Sequence, residues 1–219
     1  MTITFRNRTE AGQLLAQKLK AYTNCSDVIV LALPRGGVPV GFEIAKALNV
    51  PFDVCVVRKL GVPHHPELAM GAIAANGVRV LNYDILNEWN ISDRIIDKVS
   101  AKELQELQRR EYSYRENRPP LNVRNRTVIL VDDGIATGST IRAVIALMRQ
   151  QKPKEIIVAV PVAPCSVCKE LQAEVDKLVC LKIPEPFHAV GLWYENFSQT
   201  SDDQVHQILK KSTTIANAV

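Results

Sequence analysis

Five short, largely apolar runs, at 28–33, 52–57, 127–131, 155–162 and 177–183, alternate along the chain with stretches of helical spacing. That alternation limits the fold more than any other feature. Runs apolar on successive residues suit strands buried on both faces, which is the condition of a parallel sheet. Between them, Val40, Ile44, Ala47 and Leu48 follow helical periodicity, as do Ile141, Val144, Ile145 and Met148. The expected fold class is therefore α/β, a doubly wound, mostly parallel sheet flanked by helices.

Smaller signals fill in the order of elements. Thr9 is placed to cap a first helix carrying Leu14, Leu15 and Leu19. Gly61 and the cluster Pro63, His64, His65 and Pro66 mark a turn, and Asn76-Gly77 reads as a hairpin between short strands at 69–74 and 78–81. A charged helix is expected from Ile91 to about Tyr114, with Ile91, Ile95, Val99 and Leu107 as its apolar stripe. Ser201 followed by Gln204 forms a capping-box signature for a last helix that turns Val205, Ile208 and Leu209 inward. The two histidines of the turn lack a third ligand partner and read as surface residues.

Charge and cysteine content exclude some classes. Twenty-seven Lys and Arg against 23 Asp and Glu give a net charge of +4, mild for a nucleic-acid binder and compatible with anionic substrates. Five scattered cysteines do not make a disulfide framework, and Cys165-x-x-Cys168 without a second close pair reads as two structural thiols rather than zinc ligands. No apolar run reaches the length of a membrane span and the N-terminus has no signal-peptide pattern, so a cytoplasmic protein is expected.

In an open parallel sheet, ligands bind beyond the carboxyl ends of strands, so the turns after strands carry the functional expectation. After the run 127–131 come Asp132 and Asp133, Gly134, Ile135 and Ala136, then Thr137, Gly138, Ser139 and Thr140 at the start of a helix. Successive backbone N–H groups at a helix N-terminus, with hydroxyls beside them, cradle phosphate. Two carboxylates next to that cradle suit the hydroxyls of a sugar or a metal ion. No Lys follows Gly138, which disfavours a nucleoside triphosphate P-loop.

Over residues 128–140 the sequence resembles the PRPP (5-phosphoribosyl 1-pyrophosphate) motif of the type I phosphoribosyltransferases: branched apolar strand, two acids, then small residues with Thr-Gly-x-Thr. The resemblance extends over nearly the whole chain, through Val57-Arg58-Lys59-Leu60-Gly61, the stretch 66–72, Arg109-Arg110-Glu111, Pro184-Glu185-Pro186-Phe187 and the stretch 191–197. It points to a branch of bacterial phosphoribosyltransferases without an assigned base. It implies a magnesium-dependent enzyme that joins a nitrogenous base to PRPP and releases pyrophosphate, with a single domain over 1–219, a helical or lid insertion at 84–120 and a small hood at 184–200.

The resemblance also implies roles. Asp132 and Asp133 are expected to hold ribose hydroxyls and Mg2+, and the residues from Gly134 to Thr140 the 5-phosphate. Arg35, Gly36 and Gly37 form the pyrophosphate loop, often with an unusual peptide conformation, and Arg58 and Lys59 meet the leaving group. Phe187 and Trp193 offer flat partners for a base, or else close the core of the last layer. The later acidic position of the motif is Ala136 or Thr137 here, which leaves the general base open. Six Arg and two Glu between 109 and 126 suggest either a solvated face or a lid, and Tyr112 and Tyr114 among them keep a nucleic-acid reading in view, though nucleic acid is the less expected partner. A second reading therefore stays open, a PRPP-sensing regulatory or nucleic-acid-binding protein without turnover, as does an acceptor other than a base. A homodimer is what the resemblance implies for assembly.

Overall fold

The structure, a computed structural model, describes residues 4–74, 77–115 and 122–216. They divide into two compact units, one from the described residues of 1–55, 122–136 and 152–219, the other from those of 56–121 and 137–151.

The first unit is built on a five-stranded, wholly parallel sheet. Helix α1 (Arg8–Lys18) precedes β1 (Val28–Ala32), which is followed by α2 (Gly37–Leu48) and β2 (Phe52–Val54). The second unit supplies β3 (Val57–Val62), β4 (His65–Ala74), β5 (Arg79–Leu81), α3 (Tyr83–Glu88) and α4 (Asp93–Arg115). The chain returns to the first unit for β6 (Thr127–Val131), enters α5 (Ser139–Gln150) in the second, and ends in the first with β7 (Glu155–Val162), α6 (Cys165–Glu174), β8 (Lys177–Lys182) and α7 (Asp202–Ala216). The strand order of the parallel sheet is β2-β1-β6-β7-β8. β1 pairs with β6 from Val28 opposite Thr127 to Ala32 opposite Val131, which brings the ends of both strands to one edge. Every residue of β1 and β6 is buried, as the continuous apolar runs require. The expected α/β class with a mostly parallel, helix-flanked sheet is the one found.

The run 52–57 does not form one strand. Cys55 N still donates to Ala32 O (2.9 Å), and the chain then leaves the parallel sheet. From Val57 it forms β3, antiparallel to β4, in the three-stranded sheet β3-β4-β5 of the second unit. Along β3, buried Leu60 and Val62 are separated by half-buried Gly61, as in a strand buried on one face. The turn expected from 61 to 66 shrinks to Pro63 and His64, because Gly61 belongs to β3 and His65 opens β4. The hairpin itself is present, Ala74 N donating to Val78 O (2.8 Å), while Asn76 lies outside the described residues. Leu60, Val62, Met70, Ile73, Leu86, Ile96 and Leu107 form this unit's core.

Helix termini follow local side-chain chemistry. The cap of α1 is Asn7, not Thr9: Asn7 has extended backbone and its carboxamide oxygen accepts from Glu10 N (3.0 Å). Leu15 and Leu19 are buried whereas Leu14 is exposed. In α2, Val40, Ile44 and Leu48 are buried and Ala47 is exposed. Helix α3, not expected from periodicity, is capped by Asn82, which accepts from Asp84 N and Ile85 N. At α7 the capping box is formed in both directions, Ser201 N to Gln204 Oε1 (2.9 Å) and Gln204 N to Ser201 Oγ (3.2 Å). All five cysteines are free thiols, with Cys165 and Cys168 in the first turn of α6. No helix among the described residues is long and apolar enough to cross a membrane.

Candidate active site

Beyond the C-terminal ends of β1 and β6, the first unit brings four of the expected site residues together. The turn after β1 runs through Pro34, Arg35 and Gly36 into α2, and the Pro34–Arg35 peptide is cis. Gly36 faces the Asp133 carboxylate so closely that a Cβ placed there would collide with Oδ2. At Gly37 a Cβ would sit 2.6 Å from Val131 O and 2.9 Å from Asp132 Cα. Side chains are excluded at both positions by the β6 turn, which gives the adjacent glycines a steric reason.

The two carboxylates differ. Asp132 Oδ1 accepts from Asp133 N (2.8 Å), and burial pushes the Asp132 carboxyl well above the usual carboxylate range, with the adjacent Asp133 charge adding to the rise. Asp133 is ion-paired with Arg8: Nε donates to Oδ2 at 2.8 Å and Nη2 lies 2.7 Å from the same oxygen. The remaining nitrogen, Nη1, donates to Ser198 O (2.7 Å), and the guanidinium lies 4.0 Å from the centroid of the Phe197 ring. Tyr194 Oη donates to Asp133 O (2.6 Å), and burial raises the Tyr194 phenol, the Asp133 charge reinforcing it. Ile135 N donates to Val162 O (2.9 Å), fixing the loop to the end of β7.

The other candidates of this unit make contacts of their own. Arg35 is 3.9 Å from Asp202 at the start of α7, a long ion pair. Ala136 is exposed, and Phe187 is half-buried in the segment after β8. Trp193 packs with Phe197 on the cluster of Phe5, Ala11 and Tyr194, and its indole Nε1 is buried without a hydrogen-bond partner among the described residues. Its packing is that of a residue closing a core layer.

In the second unit, Gly138 has φ +77°, a left-handed conformation that favours glycine, at the cap of α5. Thr137 Oγ1 and Ser139 Oγ are 3.2 Å apart, and Arg142 Nη1 donates to Thr137 O (3.2 Å). Thr137 and Thr140 are exposed. Successive N–H groups at the N-terminus of this 12-residue helix can bind an anion. Arg58 is held by Glu103 of α4, Nη2 to Oε2 2.6 Å, so it is partly neutralised within its own unit, and Lys59 is half-buried on β3. The lid expected within 109–126 falls partly on 116–121, outside the described residues, and the described part up to Arg115 continues α4. The described residues contain no group of three or more His, Cys, Asp and Glu placed to hold a metal ion.

Arg8 was not anticipated as a site residue. It lies 125 positions from Asp133, and a lone arginine at a helix start carries no signal of such a partner. Tyr194 lies in a stretch included in the resemblance, but its hydroxyl contact had no local signature.

Comparison with known proteins identifies the family. Residues 6–195 match the phosphoribosyl transferase domain. Proteins of two Mycobacterium tuberculosis strains, both named as phosphoribosyl transferases, are 46% identical over 208 residues, 95% of this chain and 47% of each relative. The chain thus spans about half the length of these curated relatives. The crystal structure of TT1426 from Thermus thermophilus is 38% identical and superposes with a TM-score of 0.86, covering 95% of this chain and 98% of that one.

Proposed function

We propose that this chain, which belongs to the phosphoribosyl transferase domain family, transfers the phosphoribosyl group of PRPP to a nitrogenous base and releases pyrophosphate with the help of magnesium. The observation that carries the reading is the packing of Asp132 and Asp133 directly onto Gly36 and Gly37, within a chain that matches the family over residues 6–195. With no side chain at 36 and 37, an anionic leaving group can approach the backbone of this turn, where the Gly37 amide is already bonded to Leu33 O (3.1 Å), while the carboxylates accept sugar hydroxyls.

On this reading Asp132 and Asp133 orient the ribose. The N–H groups from Ala136 to Thr140, with the hydroxyls of Thr137, Ser139 and Thr140, bind the 5-phosphate, and Gly134 and Ile135 shape the loop between. Arg35 and the Gly36 amide bind pyrophosphate, and Gly37 keeps the turn free of a second side chain. Phe187 is the flat side chain left for a base, since Trp193 is committed to core packing.

The residues present fit magnesium only as an ion shared with substrate. Asp133 Oδ2 is taken by Arg8, which leaves Asp132 and the second Asp133 oxygen as protein ligands, and magnesium is commonly held by one or two carboxylates together with phosphate oxygens and water. The chemistry bound magnesium supplies is neutralisation of charge on the departing pyrophosphate.

The test is a turnover screen with PRPP, magnesium and a panel of purine, pyrimidine and pyridine bases, following pyrophosphate release. Base-dependent release is the expected result. PRPP binding with no release under any acceptor would favour the regulatory alternative, and no binding at all would reject the reading.

A further inference from the structure

Arg8 occupies a position that helix physics disfavours. It is the first residue of α1, where the helix dipole repels a cation. Its side chain and that of Asp133 are only 11% and 15% exposed, so the pair is largely desolvated, an arrangement that seldom adds stability over an apolar pair. All three guanidinium nitrogens are nevertheless engaged, two on Asp133 Oδ2 and one on Ser198 O, and the plane rests on Phe197. Asn7 fixes the start of the helix through its bond from Glu10 N, and Tyr194 fixes the backbone of Asp133 from the other side.

We infer that Arg8 is a positioning residue for Asp133: by saturating Oδ2 it locks the carboxylate plane and leaves Oδ1 as the oxygen presented to magnesium-bound PRPP. The inference rests on the phosphoribosyl reading above and adds to it a residue outside the PRPP motif. An oxygen that already accepts two charged donors has little capacity for a third partner. A carboxylate fixed in advance also accepts a ligand without the entropy cost of being ordered by it.

Arg8 also lines a cavity of about 350 Å³, with Thr9, Ser198, Thr200, Gln207 and Lys211 among its neighbours, so a small cation added from solution has a route to the place of a truncated side chain. This permits a test that a purely structural role would not pass. Magnesium and PRPP are titrated calorimetrically into the wild type, Arg8→Ala, Arg8→Gln and Asp133→Asn, each with a thermal-unfolding control, with and without methylguanidinium.

The expected result is a loss of affinity of about tenfold or more in both Arg8 variants, partly restored in Arg8→Ala by methylguanidinium and not restored in Asp133→Asn. Arg8→Gln keeps the helix start and serves if the alanine variant does not fold. Wild-type affinity in either folded Arg8 variant overturns the inference alone, as does loss of affinity that methylguanidinium leaves unchanged in a folded Arg8→Ala. Failure of the wild type to bind PRPP overturns the phosphoribosyl reading itself and this inference with it.

Discussion

At Gly36 the constraint comes from a neighbour distant in sequence, the Asp133 carboxylate, rather than from its own backbone, whose φ of −60° any residue can adopt. Gly36→Ala should therefore push Asp133 off Arg8 and cost PRPP affinity more than its small volume suggests. We expect at least a roughly tenfold weaker PRPP titration with a fall in unfolding temperature of no more than a few degrees. Unchanged affinity would mean that the Asp133 carboxylate moves aside freely. The acids, the hydroxyl run 137–140 and the paired glycines stand out in the sequence as candidates, because a phosphate loop is a local object whose chemistry sits in consecutive residues. The Arg8–Asp133 pair was not legible. The pairing joins positions 125 residues apart, and nothing around Arg8 distinguishes it from a solvated helix start.

The elements were read best where one physical pattern dominates a segment. The buried strands at 127–131 and 155–162 and the capping box of α7 appear as the sequence implied. Reading failed where two patterns meet within a few residues. The run 52–57 passes from a strand buried on both faces to an alternating one at Cys55 and Val56, and the first helix has two polar residues able to cap it, of which Asn7 has the extended backbone that a cap requires. Strand β8 carries a consequence for pH. Burial pushes the Cys180 thiol up to about 12, so the folded chain retains a proton that the unfolded chain releases from about pH 8.5. The folded state then binds more protons than the unfolded one, and the stability this confers is complete below about pH 8.5 and is lost as pH rises towards about 12. Urea midpoints should fall between about pH 8 and pH 10.5 by a larger interval in the wild type than in Cys180→Ala. Equal intervals would place the alkaline sensitivity elsewhere.

For the molecule as a whole, the alternation of apolar runs with helical spacing carried the fold class and the parallel sheet but not its strand order, since a two-sided strand has few other ways to be buried. The second sheet was half legible, as a hairpin without its third strand, because β3 starts at the last residue of the run 52–57 and continues through Arg58, Lys59 and Gly61, which break an apolar pattern. The acceptor was not legible at all: Phe187 and Trp193 satisfied the same pattern, and packing, which the sequence does not show, commits Trp193 to the cluster around Phe5 and Tyr194. On the proposed function, PRPP binds through the acidic pair after β6. A charged hydrogen bond to a ligand contributes about 1.5 to 3 kcal/mol, equivalent to roughly ten- to a hundredfold in affinity. Calorimetric titration of PRPP with magnesium into the wild type, Asp132→Asn and Asp133→Asn, with thermal unfolding as control, decides between the outcomes. Saturable binding to the wild type and a loss of that size in each variant, with unfolding little changed, is the expected result, whereas no binding to the wild type, or wild-type affinity in both variants, rules this mode of binding out.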